Sequence, residues 1–177
     1  VVTQGDGNLG VKGKNFEMLF SIAGAGPASL KVNGTEWLWH APRPAFWRAS
    51  TDNDRGCGFP LRAAAWMAAD VFVTYNGMKV LEAGPDCVKV QFQFGIPTVS
   101  GASAELVYTV EAQGALRVDA VYHGVAGAPE LPCFGVKFET FGPVTRTVWT
   151  GLSGETYPDR YKGGVFGCHE ETPHVEP

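Results

Sequence analysis

At 177 residues, with 45% apolar side chains, the chain is long enough for one domain with its own core. Its 14 basic and 18 acidic residues are spread thinly, for a formal net charge of -4, and leave no basic stripe to neutralise a nucleic-acid backbone. No apolar run reaches membrane-spanning length, and the opening stretch Val1 to Gly7 lacks the basic-then-apolar order of a secretory signal, so neither nucleic acid nor a membrane is an expected partner.

Taken in chain order, the first predicted strand runs from Asn15 to Ile22. Leu30 to Val32 and Glu36 to Leu38 follow, joined by Asn33-Gly34, a pair suited to the positive φ angles of a tight hairpin. Pro42 to Pro60 crowds proline, glycine, arginine, aspartate and aromatic residues without periodicity and reads as an irregular, residue-specific loop. Pro60 then opens the one predicted helix, Leu61 to Asp70, centred on Ala63 to Ala69 and rich in good helix formers. A strand is expected at Val71 to Tyr75. Strict alternation marks the next three strands, at Val88, Val90, Phe92 and Phe94, at Leu106, Tyr108 and Val110, and at Leu116, Val118, Ala120 and Tyr122. Gly114 turns the hairpin between the last two. Two more strands are expected at Phe134 to Phe141 and Thr145 to Thr150. Without a βαβ rhythm or an internal repeat, the expected fold is an all-β antiparallel sandwich with one short helix and no second domain.

The chemistry-bearing residues fall in two islands, Pro42 to Gly56 and Gly151 to Gly164. Each combines glycines with adjacent acids and bases. The pairs Asp52 with Asp54, Glu155 with Asp159, and Glu170 with Glu171 read as neutralised structural partners rather than catalytic acids, because carboxylates beside arginines are commonly held by them. Asp52, Asp54 and Asp159 are expected to accept hydrogen bonds from Arg48, Arg55 or Arg160 and from loop amides. Together with Tyr157, these residues would form a structural network in which the two islands touch. Cys57, Cys87, Cys133 and Cys168 form no C-x-x-C pair; no metal or other cofactor is expected, and free thiols suit a reducing compartment, hence the cytoplasm, with the periplasm as alternative. Trp37, Trp39, Trp47, Trp66 and Trp149 could stack on sugars, but tryptophans in a sandwich are by default core. A mutarotase-like reading would need a His and Glu pair, for which His123 and Glu139 are available.

Phe46 to Gly56 is similar to the "WRAPTDND-x-G" signature of the small-chain domain of family 2 β-galactosidases, with Ser50 in place of the proline. Gly154 to Arg160 resembles that domain's "GPxExYPDR" signature, without its Gly-Pro, and Thr172 to Pro177 its "TPYVxPQENG" segment, with His174 for the tyrosine. The order and spacing agree with the family along essentially the whole chain. The resemblance implies a sandwich of the galactose-mutarotase type, or supersandwich. It implies no catalytic residue here, because the family's two carboxylates sit on a neighbouring barrel domain, which is the implied partner, with a galactoside substrate met only indirectly. The loop Gly56, Cys57, Gly58 and Phe59 would flank the mouth of the active site. The chain starts without Met and stops before the end of the family segment, so it is expected to be a piece lacking the later strands, inactive alone, with an exposed sheet edge able to pair with another copy. The alternative is a stand-alone carbohydrate-binding sandwich module.

Overall fold

A computed structural model describes residues 1–142, 144–153 and 161–172, which form two compact units, Val1–Phe141 and Gly142–Pro177. In the first unit, β1 (Val2–Gln4), β2 (Asn8–Lys12), β3 (Phe16–Ser21), β4 (Gly26–Val32) and β5 (Thr35–Glu36) make an antiparallel sheet in chain order. Asn33 and Gly34 turn the β4–β5 hairpin with φ of 51° and 81°, the left-handed pair that matches strand twist. Next, β6 (Leu38–Ala45) leads into three helices, α1 (Asp52–Gly56), α2 (Phe59–Arg62) and α3 (Ala64–Phe72). β7 (Thr74–Ala83), β8 (Cys87–Gly95), β9 (Ser103–Glu111) and β10 (Leu116–His123) form a second antiparallel sheet, and β11 (Gly135–Thr140) returns to pair with β6.

The alternation in β8 explains why this becomes a sandwich. Val88, Val90, Phe92 and Phe94 are buried while Lys89, Gln91 and Gln93 face outward, so one face of the sheet must find an apolar partner. It finds Leu9, Met18 and Phe20 of the first sheet: the Phe20 ring lies 6.2 Å from Phe92 and 5.8 Å from Tyr108. A second aromatic cluster secures the helices. Trp66, fully buried, lies 5.7 Å from both Phe46 and Tyr122, and its indole N–H donates to the Pro129 carbonyl at 3.0 Å.

Several expectations need correction. Three helices occur among the described residues instead of one, and Pro60 opens α2 rather than the long alanine-rich helix. Val71 and Phe72 complete α3 rather than begin a strand: their own helix propensity is low, but the Val73 N–H donates to the Ala69 carbonyl and closes the last turn around them. Pro42 to Ala45 is strand; among the described residues β6 pairs with β11 alone, so its prolines need donate to no second ladder there. The default burial of tryptophans fails at Trp37 and Trp39, which are more than half exposed. Strands β1 and β2, and the greater part of β7, were not expected from the sequence; β1 is only three residues long, and the pairing of β7 is interrupted by two register shifts.

The second unit contains β12 (Thr147–Ser153) and β13 (Val165–Glu171), paired antiparallel, with a 3-10 turn at Tyr161–Gly163 before β13. Arg146 grips Glu170 through Nε at 2.6 Å and Nη2 at 2.8 Å. The Trp149 and His169 rings, opposite each other in the register, lie 5.5 Å apart.

Candidate functional site

The signature segment begins where β6 ends. Phe46 is buried in the aromatic cluster and its backbone N–H donates to Asp70 Oδ1 of α3 at 2.6 Å, which fixes the exit of the chain from the sheet. Thr51 and Asp54 then close a reciprocal cap on α1. Asp54 N–H donates to Thr51 Oγ1 at 3.2 Å, and Thr51 N–H donates to Asp54 Oδ2 at 2.8 Å, satisfying amides that a helix start otherwise leaves open. Arg48 reaches the same carboxylate with both terminal nitrogens, at 2.6 Å and 3.2 Å, while its Nε–H donates to the Pro132 carbonyl at 3.2 Å. The Arg48 guanidinium, helped by the Thr51 amide, holds the Asp54 carboxyl well below the usual carboxylate range. Such a carboxylate is an acceptor at any physiological pH and a poor proton donor.

Asp52 and Arg55 form a separate pair on the surface; Asp52 is 95% exposed, and Arg55 also donates to the Ser50 carbonyl at 2.8 Å. The expected network is thus two arrangements of unequal strength in this island. Tyr157, Asp159 and Arg160, and with them the expected contact between the islands, lie outside the described residues.

Gly56 closes α1, and Gly58 takes φ of 69° between α1 and α2, a conformation that costs other residues energy. Phe59 turns inward and is buried, with the guanidinium carbons of Arg48 and Arg62 at 5.9 and 6.0 Å from its ring centre. Cys57 is left exposed between them, its backbone carbonyl bonded by Arg62. All four cysteines are free. Among the described residues, no group of three or more His, Cys, Asp or Glu side chains is placed to hold a metal ion, and no helix is long and apolar enough to cross a membrane.

A second constellation was missed in the sequence. Glu36 Oε1 accepts the N–H groups of Leu30, Trp37 and Leu38 at 2.9 to 3.1 Å, which steers the chain out of the first sheet and into β6. There the pairing with β11 is irregular: between Arg43↔Lys137 and His40↔Glu139, and again before Leu38↔Thr140, β6 carries one residue more than β11. Bulges re-aim side chains, and both Trp39 and His40 are exposed in place of alternating. His40 Nδ1 meets Glu139 Oε2 at 2.8 Å and Lys137 Nζ meets Glu139 Oε1 at 2.9 Å; Lys137 first, then His40, lowers the Glu139 carboxyl from its ordinary value. The partner considered for Glu139, His123, instead faces Glu105 at 3.4 Å on the second sheet. Sequence separation hid the true pair: His40 and Glu139 are 99 residues apart, and only the β6–β11 pairing brings them together.

The family described as beta galactosidase small chain matches residues 12–176. The chain is 43% identical over 187 aligned positions to the beta-galactosidase small subunit of Latilactobacillus sakei, covering 95% of this chain and 59% of that protein. It is 34% identical to a beta-galactosidase of Clostridium acetobutylicum and 35% identical to one of Streptococcus thermophilus; these alignments cover 97% and 96% of this chain but only 19% and 16% of those proteins. The match runs through both compact units and includes the capped arginine–aspartate corner, and the chain belongs to the β-galactosidase small-chain family.

Proposed function

We propose that this chain is an accessory sandwich domain of a retaining, family 2 β-galactosidase, supporting and partly lining an active site whose two carboxylates lie on a separate catalytic barrel. The observation that carries the reading is one of proportion: the same segment makes up 59% of a protein named as a small subunit and under a fifth of proteins named as whole β-galactosidases. A domain used both ways contributes to the enzyme without containing all of it. The chemistry of the signature fits. Asp54 is committed to Arg48 and to a helix cap, so its work is to hold a shape rather than to transfer a proton. In this reading the Gly56 to Phe59 loop, anchored by buried Phe59 and turning at Gly58, borders the mouth of the galactoside site. The partner is the catalytic barrel, and the four free thiols suit a cytoplasmic enzyme.

The test is reconstitution. The purified chain is assayed with a chromogenic β-galactoside alone and after mixing with the large subunit of a small-chain β-galactosidase. Turnover is expected only in the mixture. Turnover by the chain alone that disappears on Asp52→Ala, Asp54→Ala, Glu155→Ala or Asp159→Ala would place a catalytic acid here and overturn the proposal.

A further inference from the structure

The groove beside β6 is not used by the accessory role just described, and none of the Gly56 to Phe59 residues lines it. It has a volume of about 580 Å³ and runs between β6, β11, the end of α3 and the turn before β4. That volume lies in the range of small-molecule sites. Its space exists because the walls are made of small residues such as Gly24, Ala28 and Ala41, whereas its rim carries long polar ones.

Three features of the rim bear on what would fill it. Trp39 is 57% exposed, yet its ring is oriented by edge contacts with Phe141 at 4.7 Å and His40 at 5.7 Å. An aromatic face held in place while still open to solvent is unusual for a residue whose burial is favourable. Beside it, His40, Glu139 and Lys137 form a line of contacts at 2.8 and 2.9 Å, and Arg43, opposite Lys137 in the β6–β11 register, and Asp70 line the same cavity. Two cations and two anions therefore face one cavity. Charges of both signs lie side by side there and favour neither an anion nor a cation, whereas a neutral polyol can donate to Glu139 and Asp70 and accept from Lys137, Arg43 and His40. The third feature is the irregular pairing of β6, whose register shifts on either side of His40, where Trp39 and His40 both line the cavity.

We propose that this groove binds a neutral pyranose sugar, a mono- or disaccharide, with its apolar face on Trp39 and its hydroxyls on the His40–Glu139–Lys137 line. A protein partner is the competing occupant. The observations favour the sugar, because the cores of protein interfaces are depleted of charged side chains, and here ionisable groups line the same cavity as the aromatic ring.

The experiment uses the whole chain labelled with ¹⁵N and titrated with D-galactose, lactose and D-glucose. The indole N–H of Trp39 and the amides of His40 and Lys137 are expected to shift saturably with at least one of these sugars. Trp39→Ala is expected to weaken binding about tenfold, the loss of one aromatic contact, and Glu139→Gln, which keeps the side-chain shape, severalfold. Circular dichroism checks that each variant is folded, and Glu139→Gln serves if Trp39→Ala is not. No saturable shift with any of the three sugars overturns the proposal, as do shifts that survive both substitutions. If these signals move only on addition of a large subunit, the groove is a protein-docking surface and the sugar assignment is wrong. Because the reconstitution assay reads turnover in the mixture, failure here leaves that result unaffected, and the two proposals fail separately.

Discussion

The two facing sheets and the segment from Phe46 to Phe59 hold their shapes by different means. In the sheets, stability is spread over many apolar side chains, none of which has a unique partner: Phe20 touches Phe92 and Tyr108, and each of these touches the other. In the segment, one carboxylate, Asp54, receives bonds from Arg48 and from the Thr51 amide, and the turn is fixed by directional polar bonds of this kind. A dispersed apolar core tolerates change in proportion to the area removed. A corner built on directional bonds has a hierarchy, in which one residue matters a great deal and its neighbour hardly at all.

The largest effect is expected in the sheets. Phe20→Ala leaves a cavity between them, and a loss of about 3–5 kcal/mol in unfolding free energy should follow, measured by denaturant melts at constant m-value. A loss no larger than that of a surface substitution would mean that the two sheets do not share one core.

The segment should respond next. Thr51→Ala removes one half of the α1 cap and should cost about 1 kcal/mol. Asp54→Asn should destabilise more, because it removes the charge that Arg48 grips from two sides. The pH dependence has a definite sign. Since the native Asp54 carboxyl is depressed from its ordinary 3.8, its stabilisation is present in full above that value and is lost as pH falls from there towards the lower native one. Parent and Asp54→Asn should therefore differ by a constant amount from neutral pH down to about 4, and converge only in stronger acid. Convergence near neutrality would show that Arg48 is not the partner.

The opposite sign is expected at Tyr108. Its ring is fully buried and its hydroxyl has no hydrogen-bond partner among the described residues, so the cost of desolvating it is uncompensated, and burial pushes the phenol upward. Tyr108→Phe keeps the aromatic contacts and removes that cost. The variant should be more stable by about 1 kcal/mol, as read from the same melts; a loss instead would reveal a partner for the hydroxyl.

The same division decided what could be read from the sequence. β8, β9 and β10 were legible because their apolar side chains recur at every second position, a period of two over Val88 to Phe94, Leu106 to Val110 and Leu116 to Tyr122 that is matched by strict alternation of burial in β8. The Asn33-Gly34 hairpin was legible from local backbone preference. α1 was not, since Thr51 to Gly56 forms a helix through its cap and Arg48 rather than through its propensity. β6 was hidden by its prolines, and the Trp39–His40–Glu139 groove by a bulge and a pairing of distant segments. Composition and family resemblance alike pointed to Arg48, Asp52, Asp54 and Arg55 as charged residues in need of partners. Which aspartate goes with which arginine was not readable, because that depends on the turn of α1.

Asp52 tests this last point at the smallest scale. It stands two residues from Asp54 and also pairs with an arginine, yet it is 95% exposed and accepts no backbone amide among the described residues. An ion pair in open water gains little, because solvent screens the attraction and the long side chains lose freedom on pairing. Arg55 would still be tethered through the Ser50 carbonyl. Asp52→Asn should therefore move the melting temperature by no more than about two degrees, and added salt should not separate it from the parent. If it instead destabilised the chain as much as Asp54→Asn, the hierarchy within the corner would be wrong and the two aspartates would act as one network.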